Sequence, residues 1–172
     1  SNAEIELFED GTFEIRSSSA EMGQGLVAVM QMIVSEEMTV SPDQVTVLVM
    51  DTDLTPDGGP TTASRQTYIT GNASRFAAKT LRAAISAFVA ERFDVDPNQV
   101  AYQDGAAHAN GRILSYSQIA KDMKAAGLEP KALYKYAAPE TQPLGTGGDM
   151  HFAYSYAVQA AEVEVNQKTG EV

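Results

Sequence analysis

The alternation of apolar and polar positions near the start of the chain predicts a β-hairpin over residues 4–16, with a two-residue turn at Asp10-Gly11. The apolar positions that alternate there are Ile5, Leu7, Phe13 and Ile15. The period then changes to that of a helix, which predicts an amphipathic helix over residues 24–38. A short apolar run at residues 45–50 predicts a buried strand after it.

Beyond residue 50 the pattern alternates between polar loops and periodic segments. The further predicted elements are a long loop at 51–70, a helix at 72–93, short strands within 99–115 with a turn at Asn110-Gly111, a helix at 117–126, an extended segment at 130–136, a glycine-rich loop at 142–149 and a strand at 151–165. This order of mixed strands and helices predicts an α+β fold, built as a two-layer mixed sheet with packed helices.

The two ends of the chain lead to an expectation about its boundaries. Ser1-Asn2-Ala3 resembles an expression-tag remnant and is left out of the predicted fold. After the strand at 151–165, which needs a β-bulge near Gln159–Ala160 to keep its apolar face, a turn at 166–170 leads into the start of another strand. Residues 4–172 are therefore expected to be a partial domain, truncated at both ends.

Charge and composition exclude several classes of function. The net charge of −11 argues against binding to nucleic acid or to an anionic membrane surface, both of which need clustered Lys and Arg. The chain has no cysteine, which excludes disulfides, zinc–thiolate sites, iron–sulfur ligation and cysteine nucleophiles within it. No apolar run is long enough to span a membrane, and a cytoplasmic setting is expected.

The first candidate site is Glu21-Met22-Gly23-Gln24-Gly25, here called the glycine–glutamine loop, which lies between a strand and the first helix. Two glycines let the backbone approach a ligand closely, and the free N–H groups of a helix start favour an anion. The glutamine amide adds a donor and an acceptor. The alternative is that these glycines only make a tight strand-to-helix turn.

The second candidate site is the segment 57–67, Asp57-Gly58-Gly59-Pro60-Thr61-Thr62-Ala63-Ser64-Arg65-Gln66-Thr67, here called the hydroxyl loop. Its last seven residues carry four hydroxyls, one amide and one guanidinium, between a buried strand and a long helix. Gly71 and Asn72 are expected to open that helix with further unpaired N–H groups. The alternative, a plain solvated connector with a capped helix, is disfavoured by a loop of about twenty residues.

Other candidates are weaker. The acidic residues between 51 and 57 lack the ligand, glycine and glutamate positions of a calcium loop. His108 and His151 have no companions at ligand spacing, so neither is expected to bind metal or to catalyse. The Tyr134/Tyr136 and Tyr154/Tyr156 pairs are interpreted as packing on strand faces.

The two loops resemble the molybdopterin-binding large subunit of the xanthine dehydrogenase/aldehyde oxidase family. The glycine–glutamine loop resembles a cofactor-contacting loop of that family, and residues 60–67 followed by Gly71-Asn72-Ala73 resemble the loop that holds the pyranopterin and its phosphate. The ending at 161–165 and 169–172 also resembles a strand and turn of the family. The resemblance covers nearly the whole chain in the same order and spacing, and it implies a fold like the molybdopterin-binding domain.

The resemblance implies hydroxylation of an sp² carbon of a purine, N-heterocycle or aldehyde, with water as the oxygen source and a molybdopterin-type molybdenum cofactor in the parent enzyme. Its implied partners are the remainder of the same large subunit and iron–sulfur and flavin subunits or domains, in an oligomeric parent. The implied cofactor-binding residues are Gly23, Gln24, Gly25, Thr62, Ala63, Ser64, Arg65 and Gln66. Among them Ala63 would lie near the substrate channel, and Ser64 and Gln66 would hydrogen-bond the pterin.

The chain departs from the family pattern in lacking the glutamate motif of the catalytic base, which the family places further downstream. The isolated chain is therefore predicted to hold no catalytic residue, to bind no cofactor tightly and to be inactive by itself. Two other hypotheses stay open. A non-catalytic module would use the loops to bind a phosphate or nucleotide, and an assembly domain would use its acidic surface to meet other subunits.

Overall fold

The computed structural model describes residues 1–172 and contains two β-sheets and three α-helices. In chain order the elements are β1 (Asn2–Leu7), β2 (Phe13–Ser17), α1 (Leu26–Met38), β3 (Val45–Val49), α2 (Gln66–Phe93), β4 (Ala101–Gln103), β5 (Ala106–Ala109), β6 (Arg112–Ser115), α3 (Tyr116–Ala125) and β7 (Lys131–Lys135). Short 3-10 turns precede β3 and β4. This arrangement confirms the predicted α+β class.

The main sheet has four strands in the order β3-β2-β1-β7. β1 pairs antiparallel with β2 and β7, whereas β2 pairs parallel with β3, to which it connects through α1. Ile5 lies opposite Ile15 of β2 and Ala132 of β7, so the apolar residues of neighbouring strands share one face. The period-2 pattern of the hairpin therefore determines which face of the sheet is buried.

Helices α1 and α2 cover that face and complete the core. A stripe of fully buried apolar residues recurs at every fourth position of α2, at Ala73, Ala77, Leu81, Ile85 and Val89. Small residues dominate the first half of this stripe, which lets α2 approach its neighbours closely. At Gly71 an added Cβ would lie 3.0 Å from Ile33 Cδ1, so α1 and α2 nearly touch near the start of α2.

The second sheet, in the order β4-β5-β6, is antiparallel and leads into α3. The predicted turn at Asn110-Gly111 is confirmed, and both residues have positive φ, 50° and 71°, as a tight hairpin turn requires. The predicted third helix is also confirmed. Its N-cap is Ser115, whose side chain accepts a hydrogen bond from the Gln118 N–H, and Gly127 follows its end with φ 75°.

Three boundaries differ from the predictions. β1 begins at Asn2 and Ala3 is fully buried, so residues 1–3 belong to the folded sheet. The Phe8 N–H donates to the Thr12 carbonyl, so the hairpin loop contains the three residues 9–11 and is longer than the predicted Asp10-Gly11 turn. α2 begins at Gln66, because burial of its first turn against the end of β2 offsets the weak helix preference of threonine and glycine.

The predicted strand over residues 151–165 is wrong, and so is the bulge near Gln159–Ala160. This segment has no ladder partner in the structure and no regular secondary structure, although the turn at 166–170 does form. Its large apolar side chains are therefore exposed, with Tyr156 at 91% and Val158 at 97%. The Tyr154/Tyr156 pair packs on no strand face.

The other tyrosine pair does pack as expected. Tyr134 and Tyr136 stack on Phe76 of α2, with ring centroids 5.1 and 6.0 Å away. The helices of this fold are all part of its packed layers, and none combines the length and apolarity that a bilayer crossing requires.

Candidate functional site

A buried cluster of hydroxyl groups joins the end of β2 to the first turn of α2. Ser19 Oγ lies 2.9 Å from Thr70 Oγ1 and 3.2 Å from Ser17 Oγ, and all three residues are fully buried. The side-chain oxygen of Gln66 accepts hydrogen bonds from Ser19 and Thr70. Buried hydroxyls need such partners, because an unsatisfied one costs about 1–3 kcal/mol. The cluster therefore fixes where α2 begins.

The residues at and after the end of β2 also hydrogen-bond to the hydroxyl loop. Gly58 N–H donates to Ser18 Oγ at 2.6 Å, and Ala20 N–H donates to Thr61 Oγ1 at 2.8 Å. A Cβ at Gly58 would lie 3.0–3.2 Å from the hydroxyl oxygens of three serines, so a larger residue would force these hydroxyls to shift. These serines are Ser17, Ser18 and Ser19. The hydroxyl loop is thus hydrogen-bonded to the segment that leads directly into the glycine–glutamine loop.

The start of α1 is already occupied by a carboxylate of the same chain. Glu21 accepts hydrogen bonds from the backbone N–H groups of Gly23 (2.8 Å), Gly25 (3.2 Å) and Val27 (2.9 Å). These bonds, above all the one from Val27, hold the pKa of Glu21 below its ordinary value. The expectation that these N–H groups are free for a ligand anion is therefore wrong.

Gln24 is held by its own loop as well. Its side-chain oxygen accepts from Met22 N–H at 2.6 Å, and its side-chain nitrogen donates to the Ala20 carbonyl at 2.7 Å. The nitrogen carries two N–H groups, so one remains to donate to a ligand. Gly23 and Gly25 have positive φ, 95° and 81°, and an added Cβ at either would meet no atom within 4 Å. Their conformation shapes the loop, while the space beside them is open.

The hydroxyl loop ends in a strained backbone at the start of α2. Ala63 and Ser64 have φ values of 57° and 52°, a left-handed conformation that costs non-glycine residues of order 1 kcal/mol each. The exposed hydroxyls of Thr62, Ser64 and Thr67 make no hydrogen bond within the chain. This part of the loop therefore presents several donors to solvent, where a ligand can reach them.

The N-terminus of α2 carries no side-chain cap, and Arg65 stands at its N-cap position. The Arg65 guanidinium donates to the Pro60 carbonyl at 2.9 Å and forms no ion pair. Its buried Nε has no hydrogen-bond partner. An unpaired guanidinium beside uncapped helix N–H groups favours a negatively charged ligand.

Two adjoining cavities lie against these loops. One, of about 370 Å³, is lined by residues of both loops and by Ser155. The other, of about 300 Å³, shares Thr62 and Ala63 with the first and is also lined by Arg65 and His151. Neither lining contains a carboxylate, although the chain as a whole carries a net charge of −11. The double cavity, here called the cleft, is suited to a polar anionic ligand.

Most of the residues implied by the resemblance meet at the cleft. Gln24, Thr62, Ala63, Ser64 and Gln66 line the larger cavity, Arg65 lines the smaller one, and Gly23 and Gly25 flank Gln24. The amide of Gln66 is engaged with Pro60 and with the buried hydroxyls, which leaves one of its N–H groups to donate to a ligand.

Sequence reasoning missed the far wall of the cleft and the serines behind it. Ser155 and residues 150–153 line the cavities from the other side, and Phe152 anchors this segment on Tyr68 with ring centroids 5.6 Å apart. No local pattern predicts that contact. The run Ser17-Ser18-Ser19 directly after a strand was the available signal for the buried hydroxyl cluster.

The structure does not support a metal site at the acidic residues between 51 and 57 or at the two histidines. Asp51 accepts hydrogen bonds from the N–H groups of Asp53 and Leu54, so it closes a turn. No group of three or more His, Asp or Glu side chains is placed to hold a metal ion. His108 lies in β5 of the second sheet, away from the cleft, whereas His151 lines the smaller cavity.

Comparison with known proteins agrees with this geometry. The family model of the molybdopterin cofactor-binding domain matches residues 1–172. The chain belongs to this family. The predicted relationship to xanthine dehydrogenase-type enzymes and the molybdopterin-type molybdenum cofactor of the parent protein are thereby confirmed. The residues of the cleft also suit such a group, since an anionic cofactor rich in acceptors needs N–H and O–H donors and no facing carboxylate.

The chain is also similar in sequence to individual proteins of known name. The chain is 26% identical over 171 residues to the 6-hydroxypseudooxynicotine dehydrogenase complex subunit gamma of Paenarthrobacter nicotinovorans, covering 96% of this chain and 21% of that protein. It is 37% identical over 89 residues to the xanthine dehydrogenase molybdenum-binding subunit of Escherichia coli O157:H7, covering 51% of this chain and 12% of that protein. The chain therefore spans about a fifth or less of the length of these relatives.

The fold is also found in a solved structure. Reconstituted CO dehydrogenase from Oligotropha carboxidovorans superimposes with a TM-score of 0.70 at 23% identity, covering 80% of this chain and 18% of that one. This similarity confirms the molybdopterin-binding-domain fold of the chain.

Proposed function

We propose that this chain holds one side of the molybdenum cofactor in a hydroxylase that oxidises an sp² carbon of a purine, N-heterocycle or aldehyde with water. The observation that carries the proposal is the cleft itself, which is rich in N–H and O–H donors and free of carboxylates in a strongly acidic chain. Relatives named as dehydrogenases of 6-hydroxypseudooxynicotine and of xanthine support the substrate class.

The cleft residues implied by the resemblance have proposed roles in holding the cofactor. The hydroxyls of Thr62 and Ser64 and the α2 N–H groups bind its acceptors, and the Arg65 guanidinium binds its negative charge. Gly23, Gln24 and Gly25 bring backbone close to its face, and Gln66 donates its remaining amide N–H to the pterin. Ala63 leaves room for substrate, because its side chain is a single methyl group. The bound molybdenum centre supplies the oxidation chemistry.

The proton-transfer group of the reaction is proposed to come from another part of the parent. Glu21 is the one carboxylate in the glycine–glutamine loop, and three backbone N–H groups bind it. A carboxylate held in this way is a weak base, since its pKa is lowered. The isolated chain is accordingly expected to turn over no substrate.

The proposed partners are the remainder of the large subunit, followed by iron–sulfur and flavin subunits or domains in an oligomeric complex. The relative named as a complex subunit supports this assignment. So does the segment 154–165, where a backbone without ladder partners carries exposed apolar side chains. Pairing of this segment with the remaining subunit would restore the strand that its alternating pattern predicts.

The first experiment is to express the full-length parent in a molybdenum-replete host and to measure its molybdenum and pterin content. We expect about one molybdenum atom per chain. The substitution Arg65→Gln should lower cofactor retention at least about tenfold, because it removes a charged hydrogen bond worth about 1.5–3 kcal/mol. Arg75→Gln is the matched control, since Arg75 lies on the same helix but pairs with Glu37 outside the cleft.

The alternative is a non-catalytic module that binds a phosphate or nucleotide, which the unpaired Arg65 would also suit. A folded parent that holds no molybdenum but binds a nucleotide stoichiometrically would establish this function and contradict the first. Equal cofactor retention in the Arg65 and Arg75 variants would instead remove Arg65 from the proposed site.

A further inference from the structure

The two helices that begin at the cleft differ in how their N-termini are satisfied. At α1 the carboxylate of Glu21 accepts three backbone N–H groups, from Gly23, Gly25 and Val27, at 2.8–3.2 Å. At α2 no side chain caps the helix, and the N-cap residue is the cation Arg65. One helix start thus carries a built-in anion, and the other carries an unpaired positive charge.

This difference has a consequence for any anionic ligand. A second anion at the start of α1 would have to displace the Glu21 carboxylate or lie beside it, and like charges at such distances repel. At the start of α2 the same anion would meet Arg65, the exposed hydroxyls of Thr62 and Ser64, and the free N–H groups of the helix. The electrostatic potential of the cleft therefore favours an anion at the start of α2 over one at the start of α1.

We propose that Glu21 is a positioning residue that sets the orientation of the bound cofactor. Its carboxylate takes the place of a ligand anion at α1, so the anionic group of the cofactor is directed to Arg65 and the start of α2. The glycine–glutamine loop then contacts an uncharged part of the ligand. This inference rests on the proposed function for the identity of the ligand, but the exclusion of anions by Glu21 is testable without it.

The test uses inorganic phosphate as the probe and backbone amide NMR of the 172-residue chain as the readout. In the unsubstituted chain, phosphate should leave the amides of Gly23, Gly25 and Val27 unshifted relative to chloride at equal ionic strength. In Glu21→Ala those three amides should respond to phosphate. The phosphate affinity there should rise about twofold to fivefold over the control, as expected for an anion at an uncapped helix N-terminus.

The matched control is Glu36→Ala, which removes the same charge from the exposed, opposite end of α1. Glu21→Gln serves as a second variant, because it keeps a carbonyl acceptor for the loop while removing the charge. The proposal is overturned if phosphate already shifts the three amides in the unsubstituted chain. An equal gain in Glu36→Ala, or no gain in both Glu21 variants, would also overturn it.

The pH dependence gives an independent readout. In the unsubstituted chain the three amides should titrate together with Glu21, at a pKa below the ordinary value for glutamate of about 4.3. Titration at the ordinary glutamate value would show that the carboxylate is not held by the loop. None of these results depends on molybdenum, so they separate a failure of this inference from a failure of the proposed function.

Discussion

At the scale of single residues, the shape of the cleft depends on side chains and glycines that do not line it. Gly58 is buried against three serine hydroxyls, and Ser19 and Thr70 hydrogen-bond between the end of β2 and the first turn of α2. These groups hold the hydroxyl loop at a defined distance from the sheet.

The substitution Gly58→Ala should therefore lower the free energy of unfolding by about 1–3 kcal/mol, because the new methyl group overpacks a buried polar cluster. Urea unfolding measures the change. Gly71→Ala is the control, since its methyl group meets only the flexible end of Ile33 and the helix gains about 1 kcal/mol in propensity. Equal losses in the two variants would mean that the serine cluster is not rigid.

At the scale of elements, Tyr116 joins α3 to α1 and to the main sheet. Its hydroxyl donates to the Met38 carbonyl at 2.7 Å, where α1 ends, and its ring packs edge-on against Phe13 at 4.9 Å between centroids. Burial raises the pKa of Tyr116, since ionisation would place a charge inside the core. This single residue thus connects the second sheet and α3 to the layer that carries the cleft.

Tyr116→Phe should lower the free energy of unfolding at pH 7 by about 1 kcal/mol, because the Met38 carbonyl loses its partner. The raised pKa has a further consequence. The unfolded chain releases the tyrosine proton near pH 10, and the folded chain releases it only at higher pH. The stability that the neutral Tyr116 contributes is therefore fully present below pH 10 and is lost as the pH rises above that value.

Between pH 10 and 12, the free energy of unfolding of Tyr116→Phe should consequently fall less than that of the unsubstituted chain. Urea unfolding at each pH measures this difference. Tyr156→Phe is the matched control, because Tyr156 is 91% exposed and its substitution should leave the free energy of unfolding unchanged. Parallel alkaline profiles for the unsubstituted chain and Tyr116→Phe would contradict the assignment.

At the scale of the whole molecule, the chain divides into a packed part and an extended part. Residues 1–136 contain both sheets and all three helices, whereas residues 137–172 hold no regular element. Within the extended part, residues 150–155 contact the cleft and Tyr68, and the residues after Tyr156 are exposed. The regular elements of the fold and the exposed residues after Tyr156 thus lie in different segments of the chain.

Removal of residues 157–172 should leave the free energy of unfolding unchanged within about 0.5 kcal/mol, since those side chains are exposed. Thermal and urea unfolding of the shortened chain measure this. Phe152→Ala is the comparison that should alter the cleft, because it removes the contact with Tyr68. A loss above about 1 kcal/mol on truncation would show that the extended part supports the core.

Several features of this protein follow from its sequence alone, because they depend on local chemistry. The alternation at Ile5 and Ile15 specifies the buried face of the hairpin, and the Asn110-Gly111 pair specifies a tight turn. The spacing of apolar residues specifies the helices. The two loops were recognisable as the candidate site, because glycines and clustered donors between regular elements mark places where a backbone can meet a ligand.

Other features were decided only by tertiary structure, because they depend on residues that are distant in sequence. The alternating pattern of residues 151–165 could not form a strand without a partner, since a strand exists only when a neighbour satisfies its backbone groups. The first turn of α2 formed because Ser19 and Gln66 meet across 47 positions. Glu21 became an internal anion through folding of the loop around it, which no composition or spacing reveals.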